Sequence, residues 1–217
     1  MAYDPEHRLV LEVVPGKRNA KQVCEVVKAA KRRTGGRIPR LITSDEYRPY
    51  REAILKAYGI REPVVPTGQP GRPRNPAMIP PPELLYATVH KTRRNGRVVE
   101  VDARLQFGTP AMLEAALEAS SANTKVNTSF VERHNGTDRH RNSRKVRKTY
   151  RFSKDWDVHN AATFFSMYSY NFCWPVRTLR EQTGPDTYRE RTPAMGAGLT
   201  DHVWTLREWV MFPTAPG

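Results

Sequence analysis

Eight of the twenty residues from Pro63 to Pro82 are proline. Each one fixes its own φ and removes a backbone donor, so neither a helix interior nor a central strand can run through them. Regular structure has to stop before this stretch and restart after it, and the segment reads as an extended connector. With 217 residues the chain can bury one good-sized core, with a small subdomain inserted or appended. The expected organisation has three parts: 1–62 and 126–217 as two pieces of one core, and 63–125 as an inserted linker, hairpin and short helix.

Before the connector, strand and helix alternate. Leu9 to Val14 is a β-rich run ended by Pro15-Gly16. Asn19 can cap a helix through Arg33, whose Val23, Val26, Val27 and Ala30 recur at helical spacing. Arg40 to Thr43 reads as a second strand, and Glu46 to Tyr58 as a second helix stopped by Gly59. After the connector, Leu84–Lys91 and Arg97–Phe107 alternate around Arg94-Asn95-Gly96, a hairpin signal. A short helix is expected over Pro110–Ala119, and another from Thr128 or Ser129. Trp156 to Phe172 is apolar nearly all round, which predicts a helix buried in a core.

Charge narrows the partner. The chain carries Lys+Arg 36 against Asp+Glu 22, a net +14 and a pI near 10.1. From Arg133 to Lys154 nine Lys/Arg face one acid, Asp138, so this stretch alone holds +8. A polyanion is the expected partner, nucleic acid before an anionic membrane. No apolar run approaches the ~20 residues that span a bilayer, and MAYDPEHR lacks the basic-then-apolar order of a signal peptide. Cys24 and Cys173 make neither a metal-ligand spacing nor a disulfide framework and read as small buried residues. A soluble, intracellular protein is expected.

Glu132 opens the basic stretch. A bare carboxylate among phosphate-seeking cations would repel a DNA backbone, unless a divalent cation sits between them. That makes Glu132 a candidate metal ligand. Two other acids could join it: Asp45, immediately past the end of a hydrophobic strand, where open α/β sheets place ligand-binding groups, and Asp4, in the turn Asp4-Pro5-Glu6-His7. Taken singly, each has an ordinary role. Asp45 can cap the next helix, Asp4 can staple its turn, and Glu132 can complement a helix dipole. Taken together, an Asp in a strand hairpin, an Asp after a later strand and a Glu on a downstream helix match a ribonuclease-H-like set of metal-binding carboxylates. His134 and His140 are six residues apart with no Cys nearby, a poor zinc spacing, and Gly35-Gly36 lacks the Lys-Ser/Thr of a phosphate loop.

The stretches NTSFVERHNGTDRHR, MYSYNFCWPVRTLR and RTPAMGAGLTDHVW resemble the C-terminal half of DDE transposases of bacterial insertion sequences. ITSDEYRPYREAI is similar to their second-aspartate region and AYDPEHRLVLEVVPGKR to their first, so the resemblance spans essentially the whole chain. It implies an α/β, ribonuclease-H-like fold, a mixed sheet flanked by helices with the 63–107 region inserted. It implies Asp4, Asp45 and Glu132 as the catalytic triad holding two Mg²⁺ (or Mn²⁺) ions. It further implies strand cleavage and strand transfer, transposon-end and target DNA as partners, a homo-oligomer on DNA, and a cytoplasmic, nucleoid-associated location. Arg133, Arg139, Arg141, Arg144, Lys145, Arg147 and Lys148 would position the DNA backbone, Arg139 matching the family's basic residue against transposon ends. In that family the strand of the first aspartate is central and a helix-turn-helix or zinc-ribbon module precedes it. Here three residues precede Asp4, so a domain truncated at its N-terminus is expected. The alternative is a non-catalytic, DNA-binding remnant of such an enzyme.

Overall fold

The computed structural model describes residues 1–63, 75–146 and 149–213. It is a mixed α/β structure with seven α-helices and several small sheets among those residues. The chain divides into two compact units, residues 16–128 and residues 1–15 with 129–217. Most of the connector, from 64 to 74, lies outside the described residues.

In the 16–128 unit, helix α1 (Ala20–Arg33) starts where the Asn19 side chain accepts from the Gln22 N–H at 3.1 Å. Its last turn carries Lys31, Arg32 and Arg33 against the negative end of the helix dipole. Gly35 and Gly36, both at positive φ, turn the chain away. Strand β3 (Ile42–Asp45) follows, two residues later than its hydrophobic pattern suggests, so that Asp45 is the last residue of the strand. Helix α2 (Pro49–Tyr58) begins at a proline, not at Glu46, because proline suits the first helical position, where no N–H is needed. Gly59 stops it, and its N–H caps Leu55 O at 2.8 Å.

Strand β4 (Ile60–Arg61) pairs antiparallel with β5 (Met78–Ile79), so regular structure does enter the proline-rich stretch, contrary to expectation, between Pro76 and Pro80. The hairpin forms as expected: β6 (Tyr86–Arg94) and β7 (Arg97–Phe107) turn through Asn95 and Gly96, both at positive φ. β3 runs parallel to β6 and β7 antiparallel to it, giving a mixed three-stranded sheet. On one face Tyr86 and Phe107 cluster with Leu84 and with Ile54 and Tyr58 of α2, and Val27 of α1 packs on them. The other carries Ala87, Val89 and Leu105 under Leu113 and Leu117 of α3 (Pro110–Glu118). Phe107 and Leu105 share parity yet lie on opposite faces, because the register slips between Tyr86 and Ala87.

In the other unit, β1 (Ala2–Asp4) and β2 (Leu9–Glu12) form an antiparallel hairpin. The basic helix α4 (Ser129–Arg141) and the long helix α5 (Trp156–Cys173) form next to one another in sequence, with Asp155 capping α5 through the Val158 N–H at 2.8 Å. Strands β8 (Glu181–Gln182) and β9 (Tyr188–Arg189) and helices α6 (Pro193–Gly196) and α7 (Leu206–Met211) complete the unit. Val10, Val13, Met167 and Tyr170 make its apolar cluster.

Helix α5 overturns one expectation. It does face the core, but with Thr163, Met167, Ser169, Tyr170 and Asn171, whereas Trp156, Val158, Phe164 and Phe165 are exposed. The reason lies in what it meets. Asn171 donates to Val10 O at 2.8 Å and accepts from Val10 N–H at 2.9 Å, so its amide occupies the open edge of β2. Ser166 donates to Asp138 of α4, and the Ala162 carbonyl accepts from Asn142 just past that helix. Both cysteines are free and half-buried rather than fully buried. Among the described residues no helix is long and apolar enough to cross a membrane.

Candidate functional site

Asp4 ends β1, and the type of turn that follows decides where its carboxylate goes. One oxygen accepts from the Glu6 N–H at 2.9 Å and, more loosely, the His7 N–H at 3.4 Å; the other meets His7 Nδ1 at 2.6 Å. The side chain is about a quarter exposed. It acts as an Asx staple of the turn and meets the His7 ring at the same time.

Asp45 belongs to the 16–128 unit. Strand alternation buries Ser44, whose hydroxyl bonds the Tyr86 hydroxyl at 2.7 Å, and turns Asp45 outward. One of its oxygens pairs with the Arg18 guanidinium, which also lies over the Tyr47 ring at 4.5 Å. The other accepts weakly from the Tyr47 N–H at 3.4 Å. Arg18 and Tyr47 were not legible as site residues, because their positions beside Asp45 depend on the α1 entry loop. The neighbouring Glu46 is held between His90 and Arg104, and the hydrogen bond from His90 pulls its pKa below the ordinary carboxylate value.

Glu132 lies in the first turn of α4 and is exposed. Arg133 and Arg139 are exposed as well, and Arg139, seven residues on, shares the face of Glu132. The opposite face, His134, Asp138 and Asn142 at intervals of four, is buried against α5. Asp138 there accepts from the Ser166 hydroxyl at 2.9 Å and pairs with Lys145. Lys145 is therefore turned inward, its side chain 13 % exposed, and differs from the expectation that it faces DNA. Arg141 lies over the Trp174 ring at 4.0 Å, and burial lowers its pKa. Arg144 is exposed, and Arg147 and Lys148 lie outside the described residues.

Asp4 and Glu132 thus belong to one unit and Asp45 to the other. All three are oxygen donors, the chemistry that Mg²⁺ or Mn²⁺ takes. Among the described residues no group of three or more His, Cys, Asp or Glu is arranged to hold a metal ion. Asp45 and Asp4 both have their oxygens engaged, Asp45 by Arg18 and the Tyr47 N–H and Asp4 by its own turn and His7. His134 is not a zinc ligand candidate in this arrangement: its ring lies 4.6 Å from that of Tyr170 and 5.2 Å from that of Tyr3. Its Nε2 is 3.3 Å from the Met167 sulfur. Comparisons with protein-family models, with curated proteins and with solved structures find no match.

Proposed function

We propose that this chain acts on DNA as the catalytic core of a DDE-type transposase, cutting and joining phosphodiester bonds. The observation that carries this reading is the outer face of α4. There an exposed carboxylate, Glu132, shares a helical face with exposed Arg139, at the head of a segment of charge +8. A divalent cation between such a carboxylate and a DNA phosphate would serve both. Asp4, Asp45 and Glu132 would hold two Mg²⁺ or Mn²⁺ ions. When bound, these supply an activated water or 3′-hydroxyl and a counter-charge for the phosphate under attack. Arg133, Arg139 and Arg144 orient the backbone, giving affinity without sequence choice. A homo-oligomer on DNA and a nucleoid-associated location belong to the same proposal.

A second reading, the non-catalytic DNA-binding remnant, is favoured by one observation. Asp4 already accepts from two backbone amides and meets the His7 ring, so its oxygens are engaged within the turn. Nicking of supercoiled plasmid separates the two. Mg²⁺-dependent nicking that disappears in Glu132→Gln and Asp45→Asn supports the enzyme. DNA binding without nicking at any Mg²⁺ or Mn²⁺ concentration supports the remnant, and no DNA binding at all refutes both.

A further inference from the structure

We infer that residues 149–156 form a stacking platform for unpaired DNA nucleotides. Tyr150, Phe152 and Trp156 would take base faces, and Arg144, Arg151 and Lys154 the phosphates between them. The inference rests on the DNA-acting reading and names the form of DNA that this surface takes.

Its basis is the placement of aromatic rings in the most basic part of the chain. The Tyr150 side chain is fully exposed, and Phe152 and Trp156 are 53 % and 57 % exposed. Arg151 and Lys154, also exposed, alternate with them. The loop is built rather than loose. Phe152 N–H bonds Thr149 O at 3.2 Å, closing a turn with Tyr150 and Arg151 at its tip. Ser153 N–H bonds Arg144 O at 3.3 Å, tying the turn back to the 3₁₀ turn Ser143–Lys145. The Trp156 ring is stacked on the His159 imidazole at 5.4 Å and 17°, which fixes its plane.

Two open depressions meet at Ser143 beside this loop. One, of about 490 Å³, is lined by Arg141, Arg144, Ala162 and Phe165. The other, of about 540 Å³, is lined by Val146, Thr149, Tyr150 and Arg151.

Cations alone suffice to hold a duplex, whose bases are already stacked on one another. Aromatic faces exposed at three positions gain nothing from that backbone. They gain from bases that are not paired, because every base offers a π-face and sequence hardly matters. Cations between the rings match the alternation of base and phosphate along a single strand, and guanidinium groups can themselves stack.

The test uses the full chain and a labelled oligo(dT), with an oligo(rU) and a duplex of equal length beside it. Tyr150→Ala/Phe152→Ala should weaken oligo(dT) binding about tenfold or more, the scale of lost base stacking. Because no phosphate contact is removed, the slope of log K against log salt should stay as in the wild type. Tyr150→Trp/Phe152→Tyr should restore affinity, and duplex binding should change less than about twofold. Both residues are exposed, so neither variant threatens the fold. Wild-type affinity for oligo(dT) in the alanine variant overturns the inference, as does tighter binding to oligo(rU). Binding to duplex alone overturns it too while leaving the DNA-acting reading intact. Binding to none of the three sinks both.

Discussion

His134 is a buried imidazole in an aromatic and sulfur setting, and desolvation drives its pKa down to about 4 from the ordinary 6.5. Asp138 opposes that shift, whereas Arg141 and Lys145 reinforce it. Between these two values the unfolded chain binds a proton that the folded one refuses. Stability therefore rises with pH through this window: it is complete above about 6.5 and lost as pH falls to about 4. The difference of roughly 2.5 units corresponds to about 3 kcal/mol. Urea midpoints at pH 7 and 4.5 should show this loss in the wild type and a much smaller one in His134→Gln. Asn171 makes a second prediction. Asn171→Ala leaves both polar groups of Val10 buried without a partner and should cost about 2–3 kcal/mol by chemical denaturation, with activity or binding per folded molecule unchanged. Neither role was visible in the sequence. A histidine or asparagine in a helix looks the same whether it meets solvent, a metal or the edge of a strand.

Local chemistry made most elements legible. Asn19 caps α1, Gly59 ends α2, Asn95-Gly96 turns the hairpin and Asp155 caps α5, each through backbone groups within a few residues. What failed was the assumption that α5 buries its apolar residues. Its inner face is Thr163, Ser169 and Asn171 beside Met167 and Tyr170: Asn171 clasps β2, while the Ser169 hydroxyl bonds back to Phe165 O of its own helix. Its contact with α4 centres on Asp138, between Lys145 and Ser166. Removing one member of a buried ion pair strands the other's charge, so Asp138→Ala should destabilise by about 3–5 kcal/mol, read from thermal or chemical unfolding. The double change Asp138→Leu/Lys145→Met should recover most of the loss, since an apolar pair of similar size avoids desolvating two ions. If Lys145 instead served DNA alone, Asp138→Ala would leave stability nearly untouched.

At the scale of the whole molecule, the 16–128 unit is one continuous stretch, while its companion is assembled from both ends of the sequence. The continuous unit owns both faces of its sheet, with apolar clusters entirely within 16–128. Produced alone, residues 16–128 should melt cooperatively, measured by circular dichroism; residues 129–217 without 1–15 should not, because Val10 and Val13 are missing from their cluster. Charge acts at this scale as well. If about six cations of 133–154 meet phosphates, the slope of log K against log salt for duplex DNA should be roughly −5. Lys145 should add nothing to it, so Lys145→Met/Asp138→Leu should keep the wild-type slope while Arg133→Ala/Arg139→Ala flattens it by about two. The cationic segment was legible because composition alone reveals it, and the Asp4 staple because Asp-Pro is turn chemistry; the Arg18 partner of Asp45 was not, since it depends on the path of the α1 entry loop. The Asn171 clasp has one more consequence. A two-stranded hairpin such as β1–β2 offers an outer row of unpaired amides and carbonyls that a stranger's strand can adopt, the route to edge-to-edge aggregation. By seating a side-chain amide on both groups of Val10, α5 denies that row its central foothold. Asn171→Ala should therefore be recognised not only by a weaker fold but by concentration-dependent, thioflavin-positive assemblies that the intact chain does not make.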